Sequence, residues 1–558
     1  MKVYLRTVIV SAFVCFFANL LAQERTVGLI AYEEGSYNGY TLFSPMASDI
    51  TYLIDNCGEK VNEWNFESLP GLLAYLHTDG SIFRGERSAG SFGAGGAGGK
   101  IVHKSWDDEL IWSYLYSDDL VRQHHDFQVL PNGNVLVLAW ERKTKEEAVN
   151  AGRIESLTGS DGVWFEHIVE LKPIGLDSAE IVWEWHVFDH LIQERDSTAV
   201  NYGEVDQSPN KFHINYKIQN QFSPNQPGNP DWMHMNSIQY NVSRDEIMLS
   251  SRDFDEIYII DHSTTTAEAK TGEGGNSGKG GDILFRWGNN AAYNKADVDD
   301  RLLFAQHHAS WVSDVNEADS RFTVFNNGIG NGGFETSSIE FVTPSLVDGK
   351  YVLTLDGIFM TDDHVTINDN EDLDFSSPRL SSIQVLQNDN ILIASGNNGR
   401  IVEVTPDGEL VWDYINPVNN SGPITQGENV FANDIFRAMR YSIASEIFEN
   451  RDLVPDGIVE VDPDYEQCFI IDTTLSLDNS FLIDVVDFYP NPVQDFLNIK
   501  INEAGFGEYQ ILDLKGRQHA TGQLNTYTSV SMQNFLPGVY CIKLMLDDKV
   551  QVFKIIKI

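Results

Sequence analysis

Several features of other protein classes are scarce in this sequence. Helical periodicity is nearly absent. Apolar residues do not recur at three- and four-residue spacing over any long stretch, which excludes a helical bundle. Cysteine is scarce: Cys15, Cys57, Cys468 and Cys541 occur without a CxxC pair, so no cysteine-based zinc cluster is encoded. Basic residues are few. Lys and Arg total 38 against 82 Asp and Glu, a formal net charge of −44. A surface this acidic repels nucleic acid and anionic membranes. No phosphate loop is present either. GGAGGKI (95–101) and NSGKGG (276–281) lack both the earlier glycine and the Ser or Thr after lysine, and read as flexible glycine loops.

Long hydrophobic runs are missing after the first two dozen residues. The opening MKVYLRTVIVSAFVCFFANLLAQ has Lys2 and Arg6 ahead of an apolar stretch, Val8 to Leu21. That pattern predicts a signal peptide over 1–23, so the mature chain is exported, has no membrane-spanning segment and loses Cys15. Cys57 and Cys468 sit near the two ends of the main body, where an oxidising compartment favours pairing them.

Short apolar runs separated by turns rich in Asn, Asp and Gly are abundant. One two-strand pattern repeats five times: GLLAYLHTDGSIFRGER (71–87), HDFQVLPNGNVLVLAW (125–140), HMNSIQYNVSRDEIMLSSR (234–252), HHASWVSDVNEADSRFTVFNN (307–327) and SSIQVLQNDNILIASG (381–396). All but one are followed by a strand with a terminal Trp: DELIWSY (108–114), AEIVWEW (179–185), GDILFRWG (281–288) and GELVWDY (408–414). Such repeats predict propeller blades. A sixth blade assembles from Tyr40–Phe43, Tyr52–Asp55 and Lys60–Trp64 with the returning FRAMRYS (436–442), which closes the ring. The expected fold is therefore all-β, a six-bladed propeller over 24–445. A linker and propeller-end segment (446–485) follows, then a small β-sandwich (486–558).

The repeat aligns His125, His234 and His307, each four residues before Val129, Ile238 and Trp311; the other copies carry Gly71 and Ser381 there. Three imidazoles from consecutive blades would face one another at the channel mouth. Arg252 ends the second strand of the His234 blade. Histidine serves as nucleophile, acid or base near neutral pH, and guanidinium binds oxyanions through its fork. The set suits binding and transfer of an anionic group. Three histidines also suit zinc, but the arginine beside them repels a cation. No metal and no cofactor is expected.

DWMHMNSI, SSRDFDEIYIID, WEWHVFDHLIQ (183–193), HHDFQVLPNGN, AQHHAS and FNNG (325–328) together resemble the aryl-sulfate sulfotransferase family of exported propellers, over about residues 40–445. The resemblance implies transfer of a sulfuryl group from a phenolic sulfate donor to a phenolic acceptor, without a nucleotide. It implies a transiently sulfated His307, with His125, His234 and Arg252 around the sulfate. His308 adjoins His307, and strand alternation turns one of the two to the axis. Asp189 and His190 read as scaffold. Better-known members carry a β-sandwich before the propeller, for which too few residues are present here, and the inserts at 141–165 and 194–230 reshape the pocket. Two other readings stand beside this one: a non-catalytic surface propeller binding glycans or sulfated polymers, and a sulfatase-like hydrolase.

From Val486 the composition changes. FYPNP, the D-x-x-G-R turn at 513–517 and LPGVY (536–540) resemble the type A sorting domain of the Bacteroidetes type IX secretion system. This implies the type IX machinery as a partner and secretion or cell-surface attachment after outer-membrane translocation.

Overall fold

The computed structural model describes residues 25–217, 228–312, 320–329, 336–370, 372–463, 486–490, 492–501, 507–513, 518–536, 538–546 and 549–557. The expected signal peptide and Cys468 lie outside the described residues. The repeat folds as the sequence predicts, and four of its tight turns have a residue that tolerates a left-handed backbone: Gly80, Gly133, Asp245 and Asp389 all have positive φ. Each copy of the repeat supplies the two inner strands of one antiparallel blade.

Six blades form in chain order. Blade 1 is Ile435–Ser442, Gly39–Pro45, Ile50–Ile54 and Lys60–Asn65, from the axis outward, so both ends of the propeller meet in it. Blade 2 is Pro70–Leu76, Ile82–Arg87, Gly99–Lys104 and Leu110–Leu115, and blade 3 is Val121–Val129, Val135–Lys143, Val163–Ile174 and Ser178–His186. Blade 4 is Met235–Asn241, Glu246–Ser251, Glu256–Asp261 and Phe285–Trp287, and blade 5 is His307–Trp311, Phe322–Asn326, Ser338–Pro344 and Thr361–Asn368. Blade 6 is Ser382–Val385, Ile391–Ser395, Arg400–Val404 and Leu410–Ile415, with Gly28–Tyr32 added as a fifth, outermost strand. This fifth strand is a second N-terminal closure, one the repeat did not signal.

The recurrent tryptophans join blade to blade. Trp64 of blade 1 donates its indole N–H to the Ser105 carbonyl of blade 2 at 2.9 Å. Trp112 of blade 2 reaches Ser178 of blade 3 at 2.8 Å, and Trp185 of blade 3 reaches Gly281, ahead of the outermost strand of blade 4, at 2.7 Å. Trp412 of blade 6 completes the circuit to Asn56 of blade 1 at 2.7 Å. Each of these rings is buried, so each hydrogen bond satisfies a polar atom that would otherwise be stranded. Trp287 of blade 4 meets His364 of blade 5 edge-on instead, 5.0 Å between centroids.

Residues after blade 1 return to the outside of the ring. Ile447 and Phe448 pack with Trp64 and Trp106, and Glu59 bridges Ile458. The C-terminal region has two sheets: Val486–Tyr489, Phe496–Ile501 and Tyr527–Ser531 in one, and Gly507–Asp513, Gln518–Leu524, Gly538–Leu546 and Lys549–Lys557 in the other. Leu497, Ile499 and Val530 of the first share a core with Ile511, Ile542 and Leu544 of the second, which makes a small sandwich.

Cys57 is disulfide-bonded. Peptide mapping of the secreted protein without reduction should recover Cys57 linked to Cys468. Recovery of both as free thiols would refute that pairing. Losing such a bond by Cys57→Ser should cost about 2–5 kcal/mol of stability.

Candidate active site

His125, His234 and Arg252 converge because blades 3 and 4 are neighbours and their inner strands break register at the same end. Val121–Val129 and Met235–Asn241 both carry a bulge there, and His125 and His234 take positive φ values of 50° and 51°. A non-glycine residue in this region costs on the order of 1 kcal/mol, and such strain concentrates at functional sites. The two imidazoles meet edge-to-face, 4.6 Å between centroids. Arg252 lies opposite His234, its backbone N–H donating to the His234 carbonyl at 3.2 Å. Its guanidinium is held by Asp253, 2.6 Å from Nη1. His307 enters from blade 5, fixed by the residue before it. The Gln306 side chain donates to the Ser251 and Glu256 carbonyls of blade 4, and Asn236 donates to the Gln306 carbonyl.

The shared register expected for the three histidines is not what the blades adopt. Between adjacent inner strands, Asp126 accepts from Ile238 N–H, Ser237 from Ala309 N–H, His308 from Ile383 N–H and Ser382 from Ala438 N–H. These bonds align Asp126, Ser237, His308 and Ser382. His125 and His307 therefore share a level, where blade 4 carries Asn236, and His234 stands two residues earlier. The bulges, which spacing alone cannot place, bring His234 back to the others.

The two adjacent histidines of blade 5 have different tasks. His308 Nδ1 accepts the Ile383 backbone N–H at 3.1 Å, so it is a cross-blade tie. His307 Nδ1 lies 2.8 Å from Asn327 Oδ1. The Asn327 amide nitrogen donates to the Ser377 and Leu380 carbonyls, so its oxygen must face the imidazole. His307 therefore carries its proton on Nδ1 and a lone pair on Nε2. Burial and the Arg252 charge outweigh the hydrogen bonds to Asn327 and the Ala305 backbone, taking its pKa down to about 3. It is neutral at pH 7.

His234 is opposite in character. Burial opposes its charged form, but the Asp231 carboxylate 2.6 Å from Nδ1 more than offsets this, and its pKa is raised. His125 is held neutral by burial and by the neighbouring His234, His124, His307 and Arg252. Behind it runs a buried chain. His124 Nδ1 is 2.8 Å from His125 Nδ1, and His124 Nε2 is 2.9 Å from Glu166. Burial drives the Glu166 pKa well up and the His124 pKa down to about 3, so this pair is a neutral hydrogen bond with the proton on the carboxyl group. Glu166 then donates to His124, His124 to His125, and His125 presents Nε2–H.

Asp231, Asn327, His124, Glu166 and Asp253 were not identified as site residues from the sequence. Asp231, His124 and Asn327 lie inside the quoted motifs, and a carboxylate three residues before His234 was the available signal. The 95–101 glycine segment is also corrected. It covers the site rather than forming a free loop: His125 N–H donates to the Gly96 carbonyl at 2.8 Å, and a Cβ on Gly96 would fall 2.0 Å from the His125 ring. In the second glycine loop, Ser277 N–H donates to Asp261, a carboxylate. His190, expected as scaffold, is fully buried between Asp282 and the Ala269 carbonyl. A cavity of about 460 Å³ lined by Arg244, Glu246, Lys279 and Tyr351 lies at the far ends of the blade 4 strands, away from the histidines.

Comparison with known proteins places these features in a family. Among solved structures, similarity is found to a protein of unknown function from Bacteroides caccae, at 12% identity and TM-score 0.37, covering 73% of this chain and 99% of that one. The Pseudomonas aeruginosa periplasmic gluconolactonase PpgL gives 9% identity and TM-score 0.35, with the same coverage. A streptogramin B lyase gives 13% identity and TM-score 0.32, covering 71% and 85%. These likenesses carry no statement about activity. The comparison with curated proteins gives no match. Residues 487–558 match the secretion system C-terminal sorting domain, the mark of type IX secretion and cell-surface attachment. Among the described residues no helix is long and apolar enough to cross a membrane. The arylsulfotransferase (ASST) model matches residues 109–423, a span holding His125, His234, Arg252 and His307 and more than half the chain, so the protein belongs to the arylsulfotransferase family.

Proposed function

We propose that the protein transfers a sulfuryl group from a phenolic sulfate ester to a phenolic acceptor by two displacements through His307. The observation that carries this reading is the Asn327-held imidazole, which leaves Nε2 with its lone pair while Arg252, His234 and His125 are near enough for their charges to act on the ring or it on theirs. In the first step Nε2 attacks sulfur and the S–O bond to the aryl group breaks. The departing oxygen takes the bonding pair and receives a proton from His234, which Asp231 keeps charged. Arg252 and the His125 N–H neutralise the nonbridging oxygens. Asn327 accepts the Nδ1–H of the imidazolium formed. In the second step a phenol attacks the sulfated histidine, gives its proton to His234, and His307 is restored. Residues 24–445 are the catalytic unit and 486–558 the sorting unit, joined through 446–485.

Incubation with a nitrophenyl sulfate, with and without added phenol, tests the reading. Phenol-dependent release of nitrophenol with parallel-line kinetics is expected. Phenol-independent release would indicate a hydrolase, and no release by folded protein a binding propeller. With donor alone, a peptide containing FAQHHAS should gain one sulfuryl group. His307→Ala should abolish the adduct and His308→Ala, if folded, should leave it. An adduct elsewhere would overturn the mechanism.

Arg252→Lys keeps charge but loses the fork. Turnover should fall by about 10²–10³, or ~3–4 kcal/mol, as for loss of one preorganised donor. Near-normal turnover would remove Arg252 from this role.

The pH profile follows from the two shifts. His307 titrates near 3, so the acid limb should lie far below the 6.5 of a free imidazole. His234 must be protonated in the first step, so activity falls as pH rises through its elevated pKa. Asp231→Asn removes the group that raises that value, and burial then lowers it. The alkaline limb should move to lower pH, more visibly with a poorly leaving phenol than with nitrophenol. An unmoved limb would exclude His234 as the acid.

A further inference from the structure

The WEWH segment contains a second constellation, on the outer part of blade 3. Strand alternation turns Trp183 and Trp185 into the core and leaves Glu184 and His186 together on the other face. His186 is paired across the ladder with His167. The two imidazoles stack, 4.1 Å between centroids and 13° between planes. Glu184 Oε2 lies 3.8 Å from His167 Nε2 and 3.6 Å from His186 Nε2.

These separations are too long for hydrogen bonds. They are close to the roughly 3.4 Å between neighbouring ligand atoms of a tetrahedral ion with bonds of about 2.1 Å. All three ligand atoms lie within 4.8 Å of one another. His167 is only 2% exposed, yet neither of its ring nitrogens has a hydrogen-bond partner. A buried imidazole with two stranded nitrogens is costly unless something else meets it. His186 is already oriented for ligation: its Nδ1 faces Glu141 Oε2 at 3.2 Å, the carboxylate–histidine pairing that fixes metal-binding imidazoles. Lys143, the neighbouring cation, is engaged by the other Glu141 oxygen at 2.5 Å. Glu184 is a third exposed on its side chain, which opens the place to solvent.

We propose that His167 Nε2, His186 Nε2 and the Glu184 carboxylate bind a zinc-class divalent cation between the third and fourth strands of blade 3. Two imidazoles and one carboxylate select zinc, cobalt or nickel over calcium and magnesium, and the fourth position is left for water. The ion joins two strands and shares no residue with the sulfuryl-transfer histidines. It also braces the strand whose next residue inward, Glu166, supports His124.

The test uses the full mature chain, stripped with a chelator and titrated with Co²⁺ alone. One equivalent should bind with visible absorption of a thiolate-free tetrahedral or five-coordinate site, and zinc should displace it. Glu184→Gln and His186→Ala alter partly exposed side chains, and circular dichroism checks their fold. Each should weaken Co²⁺ binding at least tenfold, and Glu141→Gln by about 10–100-fold. His307→Ala should bind as the parent does. No uptake by the folded parent, uptake unchanged in both Glu184→Gln and His186→Ala, or loss of uptake in His307→Ala would overturn the proposal.

Discussion

Pairing of Ile435–Ser442 with Gly39–Pro45 is the interaction on which the rest of the molecule depends. It makes the last strand of the propeller the innermost strand of the first blade. Two buried arginines on that strand extend its reach. Arg440 pairs with Glu403 of blade 6 and donates to Thr41 of the strand it joins. Arg437 passes blade 2 and meets Asp126 of blade 3, 2.9 Å away. Asp126 also receives the Ile238 N–H of blade 4, so one carboxylate gathers three blades immediately after His125. The tryptophan hydrogen bonds tie the perimeter, and this carboxylate ties the centre.

Water exclusion gives the central histidines their chemistry. Burial favours neutral imidazole throughout, and His124, His125, His307 and His308 all shift downward. His234 escapes because a carboxylate is packed against it. One environment thereby favours a neutral His307 and a charged His234, the two set apart by a single carboxylate and a single amide. The glycine segment over His125 contributes by approaching closer than any side chain would permit.

Much of the fold was legible in the sequence because propeller blades repeat. Turn residues fixed the hairpins, and the recurring Trp marked the outer strands of blades 1, 2, 3, 4 and 6. The extra strand Gly28–Tyr32 was not legible, since it pairs with Leu410–Ile415 and belongs to no repeat. The site was legible as residue types but not as register. His125, His234 and His307 were singled out through the alignment of copies and Arg252 as the end of one copy's second strand, yet the bulges that bring His234 level have no sequence signature. Asn327 was hidden for another reason: its importance comes from two carbonyls, of Ser377 and Leu380, supplied by a distant segment. Glu166 lies just after the 141–165 insert, and its two oxygens reach the site through His124 and through the Met235 N–H, neither of which spacing reveals.

The closing strand also sets an order in time. Arg440 and Thr41, bonded in the finished ring, are 399 positions apart in the chain. Contacts this distant are slow to form, because the entropy of bringing the ends together precedes the energy gained. Blades 2 to 5 can each fold locally as the chain emerges, but the Arg437–Asp126 contact at the axis waits for the last blade-forming segment. A partly synthesised or partly exported chain therefore lacks the complete ring that holds His307 against Arg252. In the proposed reaction, sulfuryl transfer would begin only when the whole propeller has emerged.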